Sequence, residues 1–336
     1  MNGSRKNYVE DPILEVIDLK KNFSVPGSLF RQRKVDIIDG ISFTISPGET
    51  LGCVAQGGSG KSVLIRSIAY FDPPTSGRVI FMGQDLGLIS KKKRRQIRSK
   101  MQIVFQDPYN CLHPKMTVEQ NLLQPFIIHN QGTPQERHRR VAELLGIVGM
   151  SQDAKKLLPH QFSGGQRQRL NVARALALNP RLLLLDEPVS FLDVSIKGQI
   201  LNLLLDLQRR FSLSYFFVAN DLAALRQLSD RIAVMFGGQF MEIAPNELIY
   251  ADPRHPYTRS LLNAIPSIKK GLSGFDLLAV APTDRNNVQD RGCKFLPYCQ
   301  KANNVCASSI PRMTEVKQGH FVACHLVSVR PQITSQ

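Results

Sequence analysis

The stretch Ala55-Gln56-Gly57-Gly58-Ser59-Gly60-Lys61-Ser62 constrains this chain more than any other. An apolar run at 50–54 precedes it and reads as a strand; residues 63–69 follow it and read as a helix. A glycine-rich turn at that junction leaves backbone N–H groups unpaired at the positive end of the helix dipole, where they can wrap a phosphate. Lys61 would then reach the terminal phosphates and the Ser62 hydroxyl would hold Mg²⁺. The pattern for such a loop is G-x-x-x-x-G-K-[ST], and here Ala55 stands in place of the first glycine. By itself the octapeptide leaves two readings open, a nucleotide site or an ordinary glycine-rich turn. Residues further along decide between them.

The second anion-binding signal is Ser163-Gly164-Gly165-Gln166. Ser163 is a good N-cap, and the helix it opens should run to about Leu178 before Asn179-Pro180 stops it. Next, Leu182-Leu183-Leu184-Leu185-Asp186-Glu187 reads as a buried parallel strand ending in two carboxylates. Open α/β sheets bind ligands at that edge. Asp186 suits Mg²⁺ and Glu187 suits polarising an attacking water. Buried acids without such a task are costly, so packing alone explains this pair poorly.

Around these motifs the pattern predicts short β runs at 13–19, 35–38 and 41–45, a strand at 78–81 and another at 101–105. The segment 109–160 reads as helical, with Val141, Leu144, Leu145 and Val148 forming a stripe that needs a partner surface. A helix near 195–209, a buried strand at 213–219 ending at Asn220-Asp221, and a hairpin turned at Gly237-Gly238 follow. Phe23 lies between two β runs, and its position reads as core.

Composition narrows the class of partner. A formal charge of +16, from 43 basic and 27 acidic residues, favours nucleotide, nucleic acid or an anionic membrane face without choosing among them. The densest basic run, 91–100, reads as a solvated helix face. No aromatic residue interleaves with it, which argues against a single-strand nucleic-acid platform. No apolar run approaches 18 residues, and residues 1–7 lack an apolar stretch, so neither a membrane span nor a secretory signal is predicted. The cytosol is the expected compartment. Of six cysteines, Cys53 and Cys111 read as small packing residues, and four crowd the C-terminal end. In a reducing compartment such a group is more often a metal site than a disulfide set.

In this order the motifs resemble the ATP-binding subunit of an ABC transporter, over roughly residues 13 to 326. Phe105-Gln106-Asp107-Pro108, Asp193-Val194-Ser195-Ile196 and His255-Pro256-Tyr257-Thr258 look like the oligopeptide/dipeptide importer branch. The resemblance implies a RecA-like α/β core with an N-terminal antiparallel β-subdomain, a helical insert near 107–160, and a cysteine-containing C-terminal extension. It places the ATPase domain at 1–250 and the extension at 251–336. It implies that Phe23 stacks on adenine and that residues 55–62, with Lys61 and Ser62, hold phosphate and Mg²⁺. Gln106 would sense the γ-phosphate, join Ser62 and Asp186 in holding Mg²⁺ and couple to the membrane subunits; Asp186 would hold Mg²⁺ through water, and Glu187 act as catalytic base. Ser163, Gly164, Gly165 and Gln166 would contact ATP held by an opposite subunit, with Asp193 in the loop crossing that interface.

Two departures stand out. Ala55 would cost very roughly 1 kcal/mol if its φ were positive and almost nothing if negative. Asn220 replaces the family's γ-phosphate histidine; it can still donate a hydrogen bond but carries no ionisable group. Hydrolysis at this chain's own site is therefore in question, while ATP binding should survive. A non-hydrolysing regulatory cassette is the alternative, and a nucleic-acid-linked ABC ATPase is a rival favoured only by charge. Cys293, Cys299, Cys306 and Cys324 are spaced C-x5-C-x6-C-x17-C, which fits neither zinc-knuckle nor ferredoxin intervals. Similar tails in this branch are associated with an iron–sulfur cluster of the [4Fe-4S] kind; zinc and unliganded thiols stay open. The implied partners are a second, different ABC ATPase subunit, two membrane permease subunits and a periplasmic or extracellular solute-binding protein. No nucleic-acid partner is implied. The implied location is peripheral, on the cytoplasmic face of the inner membrane.

Overall fold

The computed structural model describes residues 11–26, 32–220, 222–264 and 292–327, with side chains not described at 25, 26, 32 and 33. Asp221 and the parts of the extension at 265–291 and 328–336 lie outside the described residues.

Among the described residues eight strands form the main sheet, and the reason lies in their side chains. In β3 (Thr50–Ala55), β7 (Leu182–Asp186) and β8 (Ser214–Ala219) every residue is buried, as a strand covered on both faces requires. With β6 (Met101–Val104), β9 (Arg231–Phe236), β10 (Gln239–Pro245), β11 (Thr314–Lys317) and β12 (His320–Val322), the order is β11-β12-β10-β9-β3-β8-β7-β6. The central strands β9, β3, β8, β7 and β6 run parallel, while β10, β12 and β11 add on antiparallel. The carboxyl ends of β3, β8, β7 and β6 therefore share one edge. That edge carries the loop at 56–60, Asn220, Asp186-Glu187 and Gln106.

A second, antiparallel sheet has the order β2-β1-β4-β5, from β1 (Leu14–Pro26), β2 (Gln32–Ile45), β4 (Ser76–Phe81) and β5 (Gln84–Asp85). The runs predicted separately at 35–38 and 41–45 are one strand. Asp39-Gly40 is a bulge within it, opposite an equally irregular part of β1, with Asp18 at φ 43° and Gly40 at φ 77°. Phe43 of this sheet stacks on Phe216 of β8 at 5.1 Å, welding the sheets into one core.

The helical insert comprises α3 (Val118–Ile128) and α4 (Pro134–Ile147), after α1 (Lys61–Ile68) and α2 (Lys91–Arg98). Thr117/Gln120 and Thr133/Glu136 close capping boxes at α3 and α4. The stripe Val141, Leu144, Leu145 and Val148 is fully buried, in one core with Leu122 and Phe126 of α3 and Leu170 of α5 (Gly164–Leu176). Each such side chain contributes about 1.5–3 kcal/mol on leaving water. Helix α2 buries no residue, as its run of cations requires.

After α6 (Val194–Phe211) and α7 (Leu222–Leu228), the extension joins the core sheet through β12. Glu242 of β10 is wholly buried and accepts from the backbone N–H of Arg254 (2.7 Å) and of His255 (2.9 Å). His320 of β12, equally buried, places its Nε2 at 2.7 Å from the same carboxylate. Helices α8 (Asn246–Ala251) and α9 (Pro256–Asn263) pack beside β10 at that pin, and α10 (Asn304–Ser308) follows in the extension. Burial pushes the His255 imidazole down to about 4, so the ring stays neutral and accepts the Tyr257 N–H at its Nδ1.

Candidate nucleotide site

The phosphate loop closes between β3 and α1. Gly60 caps α1 at φ 94° with no side-chain capping bond, and a Cβ there would meet Ile37 at 2.9 Å. Glycine is obligatory at that position. Ala55 is the last residue of β3, wholly buried and not among the residues with positive φ. The strain considered for alanine is absent: the first-glycine position lies in strand, so this departure costs the site nothing through backbone strain.

Lys61 is 5% exposed, and its ammonium donates to the carbonyls of Ala55 (2.7 Å) and Gln56 (3.1 Å) and to Asn220 Oδ1 (2.5 Å). It also pairs with Glu187 Oε1 at 3.2 Å. Ser62 Oγ donates to Asp186 Oδ1 at 3.2 Å, which brings together the two groups that would hold Mg²⁺. Burial first, and Glu187 beside it, raise the Asp186 carboxyl against the opposing Ser62 hydrogen bond. A divalent ion would reverse that balance. The donor set thus suits a magnesium ion on oxygen ligands.

Glu187 is the hub. Its carboxylate accepts from Gln106 Nε2 at 2.9 Å, from Ser190 Oγ at 2.9 Å, and from Asn220 Nδ2. Its backbone is left-handed, φ 47°, a conformation that costs about 1–3 kcal/mol and persists where surroundings over-determine it. Asn220, exposed at its strand end, bridges the lysine and the acid by accepting from one and donating to the other. Sequence reasoning gave Ser190 no role of its own; its offset of three from Glu187 was the available signal.

The Ser163 motif lies elsewhere on the surface. Ser163 and Gln166 close a reciprocal capping box, Gln166 N–H to Ser163 Oγ at 3.3 Å and Ser163 N–H to Gln166 Oε1 at 3.0 Å. Both are exposed. A Cβ on Gly165 would meet Ile196 at 2.6 Å, so this glycine lets α5 press against α6. Asp193 N-caps α6 without a side-chain capping bond, beside exposed Phe191 and Val194. None of these residues touches the Lys61 cluster through a described hydrogen bond. Phe23 is 39% exposed, with Lys21 Nζ at 5.3 Å from its ring centre. The core reading of Phe23 is therefore corrected: on an edge-facing stretch of β1 the ring stays open to solvent and available for stacking.

The four C-terminal cysteines are free, and Cys306, Cys324 and Cys299 lie close enough to Cys293 to raise its thiol further, after burial. Among the described residues, however, no three His, Cys, Asp or Glu side chains are placed to hold a metal ion. The expected iron–sulfur cluster finds no support in that placement. Cys53 is wholly buried, with its thiol pushed up to about 12 by desolvation, as a packing residue should be.

A parallel sheet with the phosphate loop, the paired acids and the Gln106 loop on one edge defines an ABC ATPase, whose cofactors are ATP and Mg²⁺. The comparisons with known proteins agree. The ABC transporter family model matches residues 38–190, and the model for the oligopeptide/dipeptide transporter C-terminal region matches 241–306. The chain is 42% identical over 326 residues to the oligopeptide transport ATP-binding protein AppF of Bacillus subtilis, covering 95% of this chain and 98% of that one. It is 40% identical over 321 residues to a putative peptide import ATP-binding protein of Brucella ovis, covering 94% and 98%. A dimeric ATP-binding cassette solved in a post-hydrolysis state with ADP and Pi has a TM-score of 0.62 at 28% identity, covering 69% of this chain and 98% of that chain. This chain belongs to the ABC transporter ATP-binding subunits, in the oligopeptide/dipeptide branch.

Proposed function

We propose that this chain is the ATPase subunit of a peptide importer, converting ATP binding and hydrolysis into movement of an ABC permease. The single observation that carries this reading is the convergence of Lys61, Ser62, Asp186, Glu187 and Gln106 on one sheet edge, in a chain that also has the oligopeptide-type extension. Lys61 would exchange its contacts with Glu187 and Asn220 for the β- and γ-phosphates. Mg²⁺, when bound, neutralises developing phosphate charge, with Ser62 and Asp186 to hold it. Released from Lys61, Glu187 is free to accept a proton from the attacking water, a task worth about 10²–10⁴-fold. Phe23, open on β1, would stack on the adenine.

Ser163–Gln166 and Asp193 serve a second cassette's ATP, which suits their exposure. Asn220 weakens turnover at this chain's own site, so the pair is asymmetric and the partner is a different chain with a complete motif set. We take the boundary near 250 as one of function, since β12 packs into the ATPase sheet.

The permease surface is a cleft of about 1020 Å³ between the insert and the core, lined by Lys91, Arg94, Arg95, Arg98, Arg174 and His129 among others, and by no carboxylate. An acidic cytoplasmic segment of the permease complements it. No helix among the described residues is long and apolar enough to cross a membrane, which fits peripheral attachment at the cytoplasmic face. The test is to isolate the complex and identify its subunits. Two membrane subunits, a solute-binding protein and a second cassette are expected; nucleic acid instead of membrane subunits overturns the reading. Iron, zinc and sulfide analysis of anaerobically purified protein tests the thiols. A stoichiometric cluster would require them to converge from their present placement.

A further inference from the structure

The His255-Pro256-Tyr257-Thr258 segment marks the extension, and the site chemistry above gives it no task. Tyr257 is nevertheless one of the largest fully buried side chains in the protein. Its ring packs edge-on to Phe236 at 4.8 Å and against Phe295 at 5.3 Å, in an apolar cluster where a phenol hydroxyl has no packing advantage over hydrogen. The hydroxyl is shut off from solvent and closes no full hydrogen bond. A buried polar atom left so destabilises the fold, which asks for a reason.

The reason lies in what the ring abuts. Strand β9 pairs with β3 so that Met235 faces Ala55, and Phe236 is the next residue. Tyr257 therefore stands where β3 becomes the phosphate loop. The Gln56 backbone N–H beside the hydroxyl opposes the effect of burial, which raises the phenol. In a trans peptide unit the N–H and the preceding C=O point in opposite directions. The N–H of Gln56 faces Tyr257, and the carbonyl of Ala55 in the same unit accepts from Lys61 Nζ at 2.7 Å.

We propose that Tyr257 is a positioning residue for the nucleotide site. Its hydroxyl accepts from the Gln56 N–H as the loop tightens on phosphate, aiming the Ala55 carbonyl and so fixing Lys61. The extension is thereby tied mechanically to the loop. This rests on residues 55–62 being the nucleotide site.

The test uses the full chain and Tyr257→Phe, which keeps the ring and removes only the oxygen. ATP should bind about three- to tenfold more weakly, KM should rise more than kcat falls, and amide exchange across residues 55–60 should quicken. The thermal midpoint should not fall and should rise by roughly 2–6 °C, because the unmet buried oxygen is removed and no closed hydrogen bond is lost. Tyr257→Leu, which also removes the ring's edge contacts, should instead lower the midpoint. Lys61→Ala serves as the control: loss of ATP binding there, with wild-type affinity and exchange in Tyr257→Phe, overturns the positioning role while leaving the nucleotide site standing. A midpoint that falls in Tyr257→Phe, with ATP affinity unchanged, reduces Tyr257 to a structural residue and overturns it too.

Discussion

Two helix N-termini in this protein could each receive phosphate, and they are built in opposite ways. At α1 the cap is Gly60, no side chain closes the amides, and the lysine is buried in a charged network. At α5 the cap is Ser163, the box with Gln166 is already closed, and the end faces solvent. The first end leaves its amides without a side-chain cap and sets a buried lysine and two acids beside them. The second is stable alone and presents a finished surface. Under the proposed function, that difference is what would separate a site serving this chain from a surface offered to another.

Lys61→Ala should break the comparison at its first term most severely. It removes a buried cation and strands Glu187, so ATP binding measured by calorimetry should fall at least about 100-fold. Wild-type affinity would mean that the charged network is not the nucleotide site.

Within the assembled complex, Ser163→Arg should leave ATP binding to Lys61 intact and cut total ATPase about tenfold or more. Glu187→Gln should cut it less, since the proposed asymmetry has the Asn220 site contributing less turnover. Equal losses, in an assembly containing only this chain, would remove the asymmetry.

Asn220→His sharpens the same contrast. Single-site kcat should rise several-fold while ATP affinity stays within about twofold, since a contact made only in the transition state changes kcat alone. Unchanged turnover would place the limit elsewhere, and Ala55, unstrained in β3, is no longer a candidate.

The smallest effect belongs to the cap. Gln166→Ala opens half of the reciprocal box and should cost about 0.5–1 kcal/mol, a fall of roughly 1–4 °C in the thermal midpoint. Own-site ATP affinity should not move. A larger destabilisation would show that α5 depends on its cap more than on its buried face.

Much of the site was legible because its chemistry is local. Lys61 and Ser62 are fixed by a short loop, Asp186 and Glu187 by the end of an apolar strand, and Ser163 and Gln166 by an offset of three. Errors arose where a neighbouring strand decides. The runs at 35–38 and 41–45 look separate until β1 pairs across both. Phe23 looks like core until its edge position is known. Whether Ala55 is strained depends on a φ that a one-letter code does not carry.

What the sequence by itself determined is the order of motifs and the faces of the elements. An all-apolar strand, a glycine-rich loop and a four-residue stripe each have few ways to satisfy burial and backbone bonding. What only the tertiary structure decided is which distant residues meet. The order β3-β8-β7-β6 brings Lys61 to Glu187 and Asn220 and Gln106 to Glu187, and β12 joining β10 brings His320 to Glu242 across 78 residues. Those meetings depend on strand order, which short-range preferences do not encode because each strand's burial is satisfied equally well beside several neighbours.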